Sequence, residues 1–248
     1  MTEKYKILKV RDKSDNFYTE IPDMFDLPFK LLITSKSQVG AGKTTILLNL
    51  LANPKFPYHD KFKGEDIYLI SNNELDNKLD MLASRLKIPD ENRFEYSEEI
   101  LEILYENLEE QFKDSVDENE KPTNKLLVFD DVGYTGDLKS KQFGIISKII
   151  CNGRHANISS IFNVQRFQQA STTLRANITG AIIGSVSQKD LEAVSDDFNM
   201  LDSRKAFVKM FRDNTKNKRD FMVFNFTSPE GLYFDKNFKP IDLNKYIK

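Results

Sequence analysis

The run Ser37-Gln38-Val39-Gly40-Ala41-Gly42-Lys43-Thr44, with Thr45 behind it, constrains this chain more than any other segment. It follows the apolar stretch Phe29-Lys30-Leu31-Leu32-Ile33-Thr34 and leads into Ile46-Leu47-Leu48-Asn49-Leu50-Leu51, which has helical spacing. Glycines at 40 and 42 let successive backbone amides wrap an anion. Lys43 neutralises the outer phosphates of a nucleotide, and the Thr44 hydroxyl suits a magnesium ion. The unpaired amides and dipole of a helix N-terminus favour negative charge, so Ser37 to Thr45 reads as a phosphate-binding loop. The strict pattern opens with glycine; Ser37 stands there instead and is small enough for a tight turn. The alternative is an ordinary glycine-rich turn that happens to precede a lysine.

Hydrolysis of a nucleotide also needs an acid for the magnesium ion and a group to activate the attacking water. Leu126-Leu127-Val128-Phe129-Asp130-Asp131 can supply both. Four apolar residues bury this strand, so its acids emerge at the C-terminal edge, where open α/β sheets bind ligands. Asp130, with Thr44, is the candidate magnesium residue, and Asp131 the candidate general base. Two acids before Val132-Gly133 are also common turn chemistry.

Elsewhere short apolar runs alternate with helical spacings, which predicts an α/β fold. Strands are expected at Asp66–Ser71, Ile158–Val164 and Ile178–Ile183, and a closing hairpin at Phe221–Phe226 and Leu232–Phe234. Helices are expected over Ser97–Phe112, with Leu101, Leu104, Leu108 and Phe112 on one stripe, and from about Leu138 to Asn152, capped by Gly153. A short helix through Thr173 and Arg175 and another over Lys189–Phe198 complete the set. A strand and a helix-rich segment separate the loop from the acidic strand. This spacing fits a RecA-like P-loop NTPase core, a mainly parallel sheet flanked by helices, with Ile158–Val164 between the loop strand and the acidic strand. Gln165 then ends its strand near the γ-phosphate, where an amide can bond both water and phosphate; a polar strand end reads equally well. One domain spans 1–248, with a core of about 27–200 and a basic helix and hairpin extension of about 201–248.

A chain of 248 residues can bury one sizeable core without a second unit. No apolar stretch approaches the roughly 18 residues that span a bilayer, and the start MTEKYK lacks the apolar core of a signal peptide, so neither export nor anchoring is expected. The single Cys151 cannot form an internal disulfide, fits a reducing compartment, and reads as a small buried thiol on a helix. With His59, His155 and Cys151 the only such ligands, no zinc site is expected.

A net charge of −2 gives no hint of a polyanionic partner, but its distribution is uneven. Ten acids face the single Lys113 between Ser97 and Glu120, whereas Leu201–Lys248 carries eleven Lys or Arg against six Asp or Glu. The densest basic part, Arg204, Lys205, Lys209, Arg212, Lys216, Lys218 and Arg219, is interleaved with Phe207 and Phe211. Such a mix can track nucleic-acid phosphates; it can equally be a solvated helix and loop face.

Four blocks together resemble the genome-packaging ATPases of large cytoplasmic DNA viruses, virophages and related tailless icosahedral viruses, a viral branch of the FtsK/HerA superfamily. They are Ser37–Thr44, Leu126–Asp131, the run Gly153-Arg154-His155-Ala156-Asn157-Ile158-Ser159, and Gln165 with Leu174-Arg175-Ala176-Asn177 after it. They cover Phe29 to Ser185; the first two occur in many ATPases, so the specificity lies in the last two and in their order. The resemblance implies ATP hydrolysis with Mg²⁺ by a homo-oligomeric ring, a pentamer or hexamer, that threads double-stranded DNA into a preformed capsid. It also implies a capsid or vertex protein as partner and a place in the host cytoplasm, at the virus factory, and in the virion. Asp131 stands where related motors often carry Glu. Ring ATPases commonly set an arginine against a neighbour's γ-phosphate; Arg154 and Arg175 are the candidates, Arg154 preferred, although a cation at a helix end also satisfies the dipole. Two other classes compete. A small-acceptor kinase should carry an arginine-rich lid, and none is evident; a nucleotide-switched assembly scaffold would bind without turnover.

Overall fold

In the run Leu126-Leu127-Val128-Phe129 every side chain is buried, and alternate residues enter different cores: Leu126 and Val128 one, Leu127 and Phe129 the other. A strand apolar on both faces must be covered on both, as in a parallel sheet with helices on either side. The computed structural model describes residues 17–36, 42–72, 77–132, 144–228 and 231–247, and has that architecture. Its strands are β1 (Lys30–Thr34), β2 (Ile67–Ser71), β3 (Arg93–Glu95), β4 (Lys125–Asp130), β5 (Ile158–Val164), β6 (Gly180–Ile183), β7 (Met222–Asn225) and β8 (Tyr233–Phe234). They form one sheet in the order β3-β2-β4-β5-β1-β6-β7-β8. From β3 to β6 all pairs are parallel, and the β7–β8 hairpin joins antiparallel to β6. As expected, β5 lies between the loop strand and the acidic strand, pairing Lys30 with Ser160 and Lys125 with Ile158.

Helices α1 (Lys43–Ala52) and α2 (Asn77–Leu86) cover one face, burying Leu47, Leu50 and Leu51, and Leu79, Leu82 and Ala83. The other face carries α3 (Glu98–Asp117), α4 (Ile145–Asn152), α5 (Thr172–Asn177), α6 (Gln188–Phe198) and α7 (Arg204–Asn214). Phe129 and Phe162, in register on β4 and β5, stack there at 4.7 Å between centroids. Ser97, Ser171, Ser187 and Ser203 cap α3, α5, α6 and α7, each hydroxyl accepting from the amide three residues on. Among the described residues no helix is long and apolar enough to cross a membrane.

Several expectations need correction. Gly153 caps α4 as expected, its amide donating to the Ile149 carbonyl, but in the right-handed region (φ −52°), so the chain continues through a 3₁₀ turn, Gly153–Ala156, before Asn157 (φ 55°) breaks it. Asn157 tolerates that conformation because its side chain is held, Nδ2 donating to the Thr123 carbonyl at 2.9 Å. Cys151 is exposed, since α4 buries Ile145, Ile146, Ile149 and Ile150 and position 151 falls on the opposite face. The strand expected from Ile178 begins at Gly180; Ile178 closes α5 by donating to the Leu174 carbonyl. Phe207 and Phe211 are core residues rather than interleaved surface rings, with the α7 cations turned the other way. The stretch 138–143 lies outside the described residues, as does Gly133.

Candidate functional site

Helix α1 opens without the serine cap of α3, α5, α6 and α7; like α4, it starts behind a glycine. Gly42 precedes it in the left-handed region (φ 88°), gives no side-chain acceptor, and no acid occupies the first turn. A side chain at φ near 90° would be strained, so glycine is required there. Among the described residues the first-turn amides therefore have no side-chain partner, an arrangement suited to an anion. Lys43 and Thr44 are half-buried and Thr45 is exposed. Ser37, Gln38, Val39, Gly40 and Ala41 lie outside the described residues. Both flanks are anchored: Lys36 N donates to the Ser185 carbonyl at 2.7 Å, and Ile46 N to the Gly42 carbonyl at 2.7 Å.

The acids emerge beside this turn at the C-terminal ends of the strands. Asp130 ends β4, is 4% exposed, and accepts a bond from Asn163 Nδ2. Asp131 takes a left-handed conformation (φ 51°), fixed by its amide donating to the Asn163 carbonyl at 3.0 Å. Its Oδ2 accepts from Gln165 Nε2 at 3.1 Å, while Oδ1 is buried with no partner. Asn163 thus holds both acids, one through its side chain and one through its backbone. Sequence reading passed over it; the available signal was a polar residue in a strand whose seven positions are all buried.

Four buried polar atoms at this edge lack partners: Thr34 Oγ1 ending β1, Asn72 Nδ2 after β2, Asp131 Oδ1 and Asn163 Oδ1. Such atoms are rare in native structures and ask for a ligand. Three of them are oxygens, which suits a hard cation. Magnesium is commonly held by one or two carboxylates together with the phosphates of a substrate, so a cage of acids is not needed. Among the described residues no group of three or more His, Cys, Asp or Glu stands ready for a metal, and His59 and His155 are both exposed.

The two candidate arginines lie away from these groups. Arg154 is exposed in the turn before β5, at the N-terminal edge of the sheet. There it faces Lys30: burial pushes the Lys30 ammonium down from its usual pKa, and the Arg154 charge pushes it further. Arg175, on α5, pairs with Asp197 at 2.6 Å and lies over the Phe167 ring at 5.0 Å. Burial raises the Asp197 pKa, and Arg175 opposes that rise. A third arginine, Arg166, follows Gln165 directly and is 59% exposed. The basic segment lines an open groove between α6 and α7 with Arg204, Lys205, Lys209 and Arg212. Arg204 and Arg212 are tied to α6 through the Glu192 carbonyl and Gln188, at 3.0 and 2.9 Å.

Residues 17–229 match the family described as Poxvirus A32 protein. The chain belongs to the poxvirus A32 protein family. Among solved structures, this A32-family chain is similar to the genome packaging NTPase B204 of Sulfolobus turreted icosahedral virus 2 in complex with sulfate. The two are 17% identical with a TM-score of 0.54, over 86% of this chain and 97% of that one. The AMPPCP complex of the same protein gives 0.54 at 16% identity, over 87% and 99%. B204 from Sulfolobus turreted icosahedral virus, described as a DNA-packaging ATPase, gives 0.55 at 16% identity, over 87% and 99%. These likenesses establish a shared α/β fold. No curated protein matches the chain.

Proposed function

We propose that this chain is the ATP-hydrolysing subunit of a motor that packages double-stranded DNA into a viral capsid. The observation that carries the reading is the meeting, at one sheet edge, of an uncapped helix N-terminus bearing Lys43 and Thr44 with an acid pair whose Asp131 Oδ1 is buried and unpartnered. Membership of the poxvirus A32 protein family supports it, and so does the fold shared with B204, a genome packaging NTPase solved with AMPPCP.

In this reading the Ser37–Ala41 loop and the first-turn amides of α1 wrap the phosphates, and Lys43 neutralises charge that grows on the γ-phosphate oxygens. Asp131 accepts a proton from the attacking water as its oxygen bonds to the γ-phosphorus and the bond to the bridging oxygen breaks, releasing ADP, and Gln165, already bonded to Asp131, orients that water. Asn163 acts by positioning both acids. Thr44 and Asp130 would hold a magnesium ion, which would supply positive charge against the phosphates when bound. Arg154, remote from its own site, serves the site of a neighbouring copy in a homo-oligomeric ring, with Arg175 as the second candidate. The exposed cations of α7 meet the DNA backbone, and a capsid or vertex protein is the docking partner at the virus factory in the host cytoplasm.

The test is steady-state phosphate release with and without duplex DNA. Turnover that rises with DNA is expected; nucleotide binding with no turnover under either condition would overturn the motor in favour of a nucleotide-switched scaffold.

A further inference from the structure

Beside Gly42 the surface opens into a pocket of about 300 Å³. Thr45, Ile46 and Asn49 form one wall, as expected of positions on one face of α1. Phe56, Phe221 and Phe238 form the other, and Arg219 stands at the rim. The three phenylalanines come from the segment after α1, the lead into β7 and the turn after β8. Their rings meet edge to face, Phe56 with Phe238 at 5.7 Å and Phe221 with Phe238 at 6.3 Å.

Phe238 is held there against backbone preference. Its φ is 59°, a conformation that is an outlier for a bulky residue and that persists only when the surroundings fix it. The surroundings do fix it: Asp235 Oδ1 accepts from the amides of Asn237 and Lys239 at 2.8 and 3.0 Å, and Phe238 N donates to the Asp235 carbonyl at 3.0 Å. Strain of this kind collects at ligand clamps.

We propose that this pocket is the nucleobase subsite of the nucleotide whose phosphates occupy the adjoining loop, and that it grips the base by stacking. This inference rests on the phosphate-loop reading. The volume lies at the low end for small-molecule sites, room for a base rather than a whole nucleotide, and the pocket opens where the sugar would leave the phosphates at Gly42 and Thr45. The walls offer faces more than hydrogen bonds. Asn49 uses its amide within α1, Nδ2 donating to the Thr45 carbonyl and Oδ1 accepting from Asn53. Arg219 is exposed, pairs with no carboxylate among the described residues, and can lay its guanidinium over a π face.

The experiment compares equilibrium binding of magnesium ATP and magnesium tripolyphosphate, which fills only the loop, by titration calorimetry on the full chain. The parent should bind ATP more tightly than tripolyphosphate. Phe221→Leu and Phe238→Gly should each weaken ATP about tenfold or more and leave tripolyphosphate unchanged, the latter also showing that the variants are folded. An unchanged preference for ATP in both variants would place the base elsewhere and overturn the subsite. A parent that binds neither compound would overturn the phosphate loop itself, and the subsite with it.

Discussion

At the N-terminal edge of the sheet Asp66 is 4% exposed and held through Oδ1: Lys125 Nζ lies 2.5 Å from that oxygen and Thr123 donates to it at 3.1 Å. Nearby, Asn92 Nδ2 reaches the carbonyls of Glu65 and Ile67, and Asn157 Nδ2 that of Thr123, with Asn157 Oδ1 left over. At the C-terminal edge of the same strands Thr34, Asn72, Asp131 and Asn163 each keep a buried polar atom without a partner. One edge is built to hold the fold. The other leaves its hydrogen-bonding capacity for something that arrives.

The contrast breaks first at Lys43. Lys43→Ala should remove hydrolysis, by about 10³-fold or to background, with circular dichroism matching the parent; undiminished turnover would return the loop to an ordinary turn. Arg154 is the one proposed catalytic group at the stable edge, and Arg154→Ala should lower turnover by about 10³-fold with nucleotide affinity kept. Mixing it with Lys43→Ala should restore part of the activity, because a mixed ring pairs an intact loop with an intact arginine; co-assembly without recovery assigns Arg154 a structural role and moves the test to Arg175.

A matched pair then sharpens the comparison. Asp131→Asn should reduce turnover about 10²-fold while changing unfolding free energy by less than about 0.5 kcal/mol, since the amide oxygen can still accept the bond from Gln165. Asp66→Ala should do the reverse, lowering stability by about 3 kcal/mol in urea titrations because it strands the buried Lys125 charge. Equal stability losses at both edges would remove the distinction. The smallest effect belongs to the α7 groove: Lys205→Ala with Lys209→Ala should leave DNA-free hydrolysis unchanged and flatten the salt dependence of DNA binding by about two units of slope.

How much could be read from the sequence depended on burial. Strands β1, β2 and β4 are nearly continuous apolar runs because both faces are covered, and Ile158, Ile161, Phe162 and Val164 mark β5 despite its three polar residues, so these strands and the acids at the end of β4 were legible. Strand β3, only Arg93-Phe94-Glu95, lies at the sheet margin with its charges exposed and gives no apolar signal. Helix α2 has its stripe at Leu79, Leu82 and Ala83, but polar residues dominate its remaining positions. On α7 the cations drew attention outward, whereas Phe207, Met210 and Phe211 at helical spacing are what anchor it. The pairing of Asn163 with Asp130 depends on strand register, and the Phe56, Phe221 and Phe238 wall on segments far apart in the chain; neither leaves a local pattern.

The position of Arg154 also decides what kind of symmetry an assembly can have. Strand β5 runs from the turn bearing Arg154 to the site, a span of about 20 Å at the usual rise per residue, so the two lie on opposite sides of one subunit. A contact that delivers Arg154 to another copy's Asp131 joins unlike surfaces. A two-fold dimer makes that contact, twice over, only if one shared patch spans both Arg154 and Asp131 on each copy. Head-to-tail contacts either close after a whole number of equal rotations or continue without end as a helical filament. In a head-to-tail assembly of this kind, the angle at that one interface would set whether the copies close into a ring or run on as a fibre.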